Sequence, residues 1–202
     1  MNFFKNIFKI NKQTNKTSSS GKDEKSSFMP KIETPTDNRF VQNFIKNGGK
    51  FLYSENENEV NKNLALIIEE NSWEKSSLFS LDKEISNRFN LDYSFSENSK
   101  DETMCLISTC EYLIADDGSI LISSNQVAEK KLSELPDDII ILAKTDQLIN
   151  NISEGLSGIK NNGTSIPSNI TNLKHFKDCN DKDFLSYGSS SKNLYLILLE
   201  NQ

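Results

Sequence analysis

Apolar and polar residues follow each other along this chain in a pattern that predicts alternating strands and helices. Residues 138–143 (DIIILA) and 194–199 (LYLILL) are continuous apolar runs, which are typical of buried parallel strands. Further strands are predicted at 50–54, 77–81, 93–96 and 120–123. Leu113 to Ala115 fits either a strand or a short helical turn.

Between these runs, apolar residues recur every three to four positions, which predicts amphipathic helices. One helix covers 57–71, and its buried face carries Val60, Leu64, Ile67 and Ile68. Other helices are predicted from Asp37 (as N-cap) to Gly48, at 82–90 and at 127–135. A last helix is predicted to begin at Thr145 or Asp146, and its buried face would carry Leu148, Ile149, Ile152, Leu156 and Ile159. This order predicts an α/β fold, in which helices cover both faces of a mostly parallel sheet. Ligands of such sheets bind at loops that follow the carboxyl ends of strands.

The pattern changes near the N-terminus. Residues 1–10 (MNFFKNIFKI) have helical apolar spacing and fit either a short interfacial or partner-docking helix or a frayed terminus. Residues 11–36 begin with a long polar stretch and are predicted to be a disordered linker with an extended arm. The α/β domain is then expected over 37–202. No apolar run approaches the ~20 residues that a membrane span needs.

Composition narrows the possible partners. The 202 residues carry a net charge of −6, which argues against broad nucleic-acid binding, so any anion site must be local. The cysteines are Cys105, Cys110 and Cys179, an odd number without a C-x-x-C pair, and His175 is the one histidine. We therefore expect reduced thiols in a cytoplasmic protein with no metal site, no catalytic triad and no cofactor of its own.

A glycine, serine and lysine segment before the last strand is a candidate anion site. Gly188, Ser189 and Ser190 offer backbone N–H groups and hydroxyls, and Lys192 offers a positive charge. The same segment also fits a solvated turn, and the two interpretations stay open.

Two other short segments offer small or polar groups. Gly118 and Ser119 directly precede a strand and indicate a hairpin turn, although they could also line a pocket. Pro167, Ser168 and Asn172 provide hydroxyl and amide groups, or belong to a polar loop.

Taken together, these segments resemble the lactate-utilization (LUD) domain family. The resemblance covers about residues 38–202 and rests on CEYLIADDGSILIS at 110–123, LPDDIIILAKTDQLI at 135–149, SIPSNITNLK at 165–174 and YGSSSKNLYLILLE at 187–200. It implies a fold related to CoA-transferases and ribose-phosphate isomerases. It also implies a context of lactate oxidation, because the family includes a subunit encoded with iron–sulfur proteins.

The match to the family motifs is incomplete. Where the family carries a carboxylate, this chain has Asn172, and where the family carries a histidine, it has Tyr187. Chemistry that needs that acid or that imidazole therefore does not transfer to this chain.

Three functions follow as expectations. The first is an accessory protein that binds a small anionic metabolite in lactate or organic-acid utilization, together with iron–sulfur partner subunits. The second is an acyl-transfer or isomerase-type enzyme, in which Glu111 would be the nucleophile because CoA-transferases use a glutamate. The third is a non-catalytic interaction protein, tethered by residues 1–10.

Overall fold

Nine strands and five helices are present in the described part of the chain. The structure is a computed structural model that describes residues 34–91, 105–128, 130–162, 166–174, 176 and 192–201. The strands are β1 (Lys50–Ser54), β2 (Leu78–Phe79), β3 (Cys105–Thr109), β4 (Tyr112–Ile114), β5 (Ser119–Ser123), β6 (Asp138–Lys144), β7 (Leu148–Ile149), β8 (Ile170–Leu173) and β9 (Asn193–Leu199). The helices are α1 (Thr36–Lys46), α2 (Glu57–Glu70), α3 (Lys83–Phe89), α4 (Ser124–Val127) and α5 (Ile152–Asn162). Outside the described residues lie the N-terminal segment and nearly all of its linker, the strand predicted at 93–96, and Gly188, Ser189 and Ser190.

The main sheet has the order β1-β9-β6-β3-β2, and every neighbouring pair is parallel. The two continuous apolar runs form its centre, where Asp138 to Lys144 pair with Asn193 to Leu199. This confirms the mostly parallel α/β fold and the two buried strands. The strand predicted at 77–81 is shorter than expected and consists of Leu78–Phe79.

Helices contact both faces of this sheet. On one face, Val60 and Leu64 of α2 and Ile85 of α3 pack in a single core cluster with strand residues such as Ile107 and Tyr195. On the other face lies α4, and the Ser108 hydroxyl of β3 donates to the Gln126 carbonyl there at 3.3 Å. Strand β3 contacts helices on both faces because the side chains of successive strand residues, here 107 and 108, point to opposite faces of the sheet.

Side-chain caps fix the starts of α2 and α3. The Asn56 side chain accepts from the Glu59 N–H, and the Asp82 carboxylate accepts from the Glu84 and Ile85 N–H groups. For α1, the prediction that Asp37 is the N-cap was wrong. The helix begins at Thr36 with Pro35 at the N-cap position, and Asp37 lies in its first turn, where negative charge suits the helix dipole.

A second sheet of four short strands, in the order β7-β4-β5-β8, was not predicted. Strands β4 and β5 form an antiparallel hairpin, which confirms the turn expected at Asp116–Gly118. Strand β8 pairs antiparallel with β5, so residues 170–173 are part of this sheet. The interpretation of Asn172 as part of a polar loop was therefore wrong.

The segment after β6 also differs from the prediction of a single long helix. A 3₁₀ turn covers Thr145–Gln147, β7 follows, and α5 begins at Ile152. Strand β7 forms because Leu148 and Ile149 pair with Leu113 and Ile114 of β4, a long-range pairing that local periodicity does not reveal.

Residues 127–135 do not form the predicted helical connection. Instead, α4 covers Ser124–Val127, and a 3₁₀ turn covers Leu132–Glu134. A capping box starts α4: the Ser123 Oγ accepts from the Asn125 N–H, and the Gln126 Oε1 accepts from the Ser123 N–H. None of the described helices is long and apolar enough to cross a membrane.

Candidate functional site

The carboxyl ends of three parallel strands surround a cavity of about 410 Å³. Thr109 ends β3, Leu142 to Lys144 end β6, and Leu199 ends β9, and all of them line this cavity. Parallel α/β sheets bind their ligands at this edge, and the volume lies within the range of about 300–1,000 Å³ that is usual for ligand pockets. The cavity is therefore the candidate site.

The lining combines a polar group of residues with an aliphatic one. The polar side chains are Arg88, Thr109, Lys144, Asp146 and Gln147, and the aliphatic ones are Val60, Ile85, Leu142, Ala143, Ile197 and Leu199, with Cys110 beside them. Four of the aliphatic residues belong to the core cluster under α2 and α3. The floor of the cavity is thus continuous with the hydrophobic core.

The Gln147 side chain forms the part of the cavity wall that lies between the ends of β6 and β3, and its hydrogen bonds hold these two ends together. Its Oε1 accepts from the Lys144 N–H at 2.7 Å, while its Nε2 donates to the Cys110 carbonyl at 2.6 Å and to the Glu111 carbonyl at 3.2 Å. One amide thereby ties the 3₁₀ turn after β6 to the end of β3. This holds residue 144 at the cavity.

Two cations and one carboxylate set the charge of the site. Lys144 is exposed, and none of the described carboxylates forms an ion pair with it. Arg88 pairs with Glu57 at the start of α2, and the Asp146 carboxylate accepts from the Asn201 side chain at 2.9 Å. Lys144 is therefore the cation of this cavity that is available to an anionic ligand.

Glu111, the proposed nucleophile, lies directly behind this wall between β3 and β4, and it is half-buried. Its Oε1 accepts from the Ser123 hydroxyl at 2.6 Å, from the Gln126 amide at 3.0 Å and from the Asn125 amide at 3.3 Å. These bonds turn the carboxylate toward α4, and Glu111 is not among the residues that line the cavity.

Cys110 is buried, and burial, with a further contribution from the charge of Glu111, raises the pKa of its thiol well above the ordinary value. Burial, followed by the charge of Asp138, likewise raises the pKa of Cys105. Both thiols are therefore protonated at neutral pH, which disfavours a nucleophilic role because the thiolate is the reactive form. The described residues also contain no group of His, Cys, Asp or Glu side chains that could hold a metal ion.

Gly118 and Ser119 lie at the start of β5, where both are buried. Gly118 has a φ of +68°, and a Cβ on it would lie 2.3 Å from backbone atoms of Asn43 and Phe44 in α1. The Ser119 hydroxyl donates to Asp117 at 2.5 Å. These contacts give Gly118 and Ser119 a structural role in the turn, and neither residue lines the cavity.

Pro167, Ser168 and Asn172 lie in the second sheet and its entry loop. The Ser168 N–H donates to the Ser124 hydroxyl at 3.1 Å, so this loop and Glu111 meet at the segment Ser123–Gln126. Asn172 is exposed on β8 and pairs with Leu121. The structure therefore brings Glu111 and Ser168 to one segment, while Gly118, Ser119, Asn172 and Lys192 have other surroundings.

Lys192 is 3% exposed, and its Nζ donates to the Leu135 carbonyl at 2.7 Å and to Asp137 at 3.3 Å. It directly precedes β9, whereas the cavity lies where β9 ends. Lys192 and the cavity are thus at opposite edges of the main sheet. The role proposed for the 188–192 segment in anion binding stays a prediction.

Sequence reasoning missed Thr109, Lys144 and Gln147. The rule that ligands bind after the carboxyl ends of parallel strands points to Lys144, because this residue follows the apolar run DIIILA directly. The two glycine-containing segments that were predicted as candidate binding sites, 118–119 and 188–192, precede strands instead of following them.

Comparison with known proteins yields a family and a fold. A model of the LUD domain matches residues 38–199, which confirms the resemblance found in the sequence. A crystal structure of a DUF162 family protein from Deinococcus radiodurans superposes with a TM-score of 0.56 at 13% sequence identity, covering 82% of this chain and 96% of that one. At this identity, the likeness demonstrates a shared fold. No curated protein matches the chain.

Proposed function

Because this chain belongs to the LUD domain family, we propose that it binds a small organic anion as a component of lactate or organic-acid utilization. Family membership supports a role related to lactate utilization. The cavity at the carboxyl edge of the main sheet is the proposed binding site, and a carboxylate is the proposed anionic group.

The observation that carries this proposal is the combination of Lys144 with the cavity it lines. The protein as a whole is negative, with a net charge of −6, so it attracts an anion through local groups. Lys144 has no ion-pair partner among the described residues, and the backbone N–H of Lys144 is held by Gln147. A lysine whose backbone is fixed beside a cavity with one aliphatic side suits a ligand that has one charged end.

The same proposal assigns electron transfer to a partner. Of the cysteines, Cys105 and Cys110 are buried and lie in the main-sheet core and the cavity wall, and the described residues offer no cluster of metal ligands. If the chain acts in lactate oxidation, an iron–sulfur partner subunit would carry the redox centre, and this chain would hold the organic acid.

Binding can be tested with the variant Lys144→Gln. Thermal unfolding would be followed with lactate, pyruvate, 2-hydroxyhexanoate and inorganic phosphate, and calorimetry would measure the dissociation constants. We expect a carboxylate to raise the unfolding temperature, since a ligand at ~100 times its dissociation constant stabilises a fold by about 2.7 kcal/mol. Lys144→Gln should weaken binding roughly fivefold, because an exposed charged contact is worth about 1 kcal/mol.

Lys160→Gln is the matched control. Lys160 is also an exposed lysine, but it lies on α5 and does not line the cavity. Its substitution should leave the dissociation constant unchanged. If no carboxylate stabilises the protein, or if both variants bind as tightly as the unmodified protein, the proposal is wrong.

A further inference from the structure

We infer that the cavity accepts an aliphatic carboxylic acid with a carbon chain distinctly longer than that of lactate. This inference rests on the proposed function, because it concerns the same cavity and adds the class of substrate. It follows from the volume of the cavity, the chemistry of its walls and the distribution of its charges.

The volume exceeds what lactate needs. A cavity of about 410 Å³ lies within the range of about 300–1,000 Å³ that is usual for pockets of drug-sized ligands, and lactate is much smaller than such ligands. A three-carbon acid would leave most of the cavity to water in contact with aliphatic side chains, which is unfavourable.

The walls are suited to hydrocarbon. Val60 of α2, Ile85 of α3 and Ile197 of β9 line the cavity, and each of them is less than 10% exposed. Leu142 and Leu199 add branched side chains at the ends of β6 and β9. Against these aliphatic walls, a polar group would lose its hydration without gaining hydrogen bonds.

The polar groups are concentrated on one side. Thr109, Lys144, Asp146 and Gln147 come from the ends of β3 and β6 and from the turn after β6, whereas α2 and β9 contribute only aliphatic lining. The exception is Arg88 of α3, whose guanidinium is already paired with Glu57. A ligand would therefore direct its carboxylate to the end of β6 and its carbon chain toward α2 and β9.

A series of straight-chain 2-hydroxy acids tests this inference on the unmodified protein. Calorimetry would measure the dissociation constants from 2-hydroxypropanoate (lactate) through the butanoate, pentanoate and hexanoate to 2-hydroxyoctanoate. Each added methylene should tighten binding about fourfold until the cavity is filled, because burial of one CH₂ group is worth about 0.8 kcal/mol.

The variant Leu199→Trp tests the location. Leu199 is half-buried at the cavity and pairs with Lys144 across β6 and β9, so a larger side chain there should weaken binding of the hexanoate and octanoate tenfold or more. Leu66→Trp is the control, because Leu66 is 58% exposed on α2 and does not line the cavity. Circular dichroism and the unfolding midpoint report whether either variant folds.

The outcomes separate the two claims. If the acids bind with equal affinity, or if lactate binds best, the inference about chain length is overturned while the proposed function stands. If none of the acids binds, both fail. If the chain-length dependence is present, it supports the inference even when Leu199→Trp does not fold.

Discussion

At the scale of single residues, Gly118 illustrates how a residue that resembles a binding motif can have a packing role. Its φ of +68° is disfavoured for residues with a Cβ, and the space where a Cβ would lie is filled by the backbone of α1 at 2.3 Å. The Asn43 and Asn47 side chains donate to carbonyls of the same turn. The glycine therefore allows the β4–β5 turn to approach α1.

We expect Gly118→Ala to lower the free energy of unfolding by about 2–5 kcal/mol, from the left-handed conformation and the overpacking together. Urea unfolding followed by circular dichroism measures the loss. Asp116→Ala is the control in the same turn, since its ion pair with Arg39 is partly exposed and should contribute less than about 1 kcal/mol. Equal stability of Gly118→Ala and the unmodified protein would refute this role for Gly118.

Lys144 shows the opposite case, in which a functional candidate has no motif. Its place after an apolar run indicates the carboxyl end of a strand, but the strands that meet there are known only from the parallel pairing of β6 with β3 and β9. That pairing brings the ends of three strands, distant in sequence, to one cavity. Predicting the site required the sheet order, which the sequence alone did not provide.

At the scale of elements, α5 shows why some residues of a helix were predicted to be buried although they are exposed. The pattern predicted Ile152 and Leu156 on the buried face, yet they are 39% and 44% exposed. The face that packs on the second sheet carries Gly155, Gly158 and Ile159. The prediction was right for Ile159 and wrong for Ile152 and Leu156, because glycine adds little to a hydrophobic pattern and the glycines on the packed face gave no signal.

This packing can be tested by combining substitutions at Gly158 and Tyr112. A Cβ on residue 158 would lie 2.4 Å from the Tyr112 Oη and 2.9 Å from its Cζ, so Gly158→Ala should be destabilising despite a gain in helix propensity of about 1 kcal/mol. With Tyr112→Ala the clash is removed, and the same substitution should become stabilising. Urea unfolding of the four proteins in this cycle measures the coupling.

Ser157→Ala is the control for helix propensity, because Ser157 is exposed on the same helix. It should be neutral or slightly stabilising in both backgrounds. If Gly158→Ala has the same effect with and without the Tyr112 ring, the proposed close contact between α5 and β4 is wrong.

Long apolar elements were predicted well, whereas short ones depended on partners elsewhere in the chain. Strands β6 and β9 are central and buried on both faces, so their composition alone revealed them. Strands β7 and β8 have two and four residues and exist because β4 and β5 supply hydrogen bonds across the sheet. No periodic pattern can develop over so few residues.

At the scale of the whole molecule, the cavity and Lys192 lie at opposite edges of the main sheet. The cavity is at the carboxyl ends of β6 and β9, and Lys192 precedes the amino end of β9. A strand of seven residues such as β6 is roughly 20 Å long at about 3.3 Å per residue. One small ligand therefore cannot contact both Lys144 and Lys192, and a measurement of where it binds decides between them.

The most direct test is a ¹H–¹⁵N correlation spectrum of the protein titrated with 2-hydroxyhexanoate. We predict that the amide signals of Thr109, Lys144 to Gln147 and Leu199 shift with a common dissociation constant, while those of Gly118 and Lys192 stay in place. Shifts at Gly118 or Lys192 with none at Lys144 to Gln147 would contradict the central claim that the cavity at the carboxyl edge is the binding site.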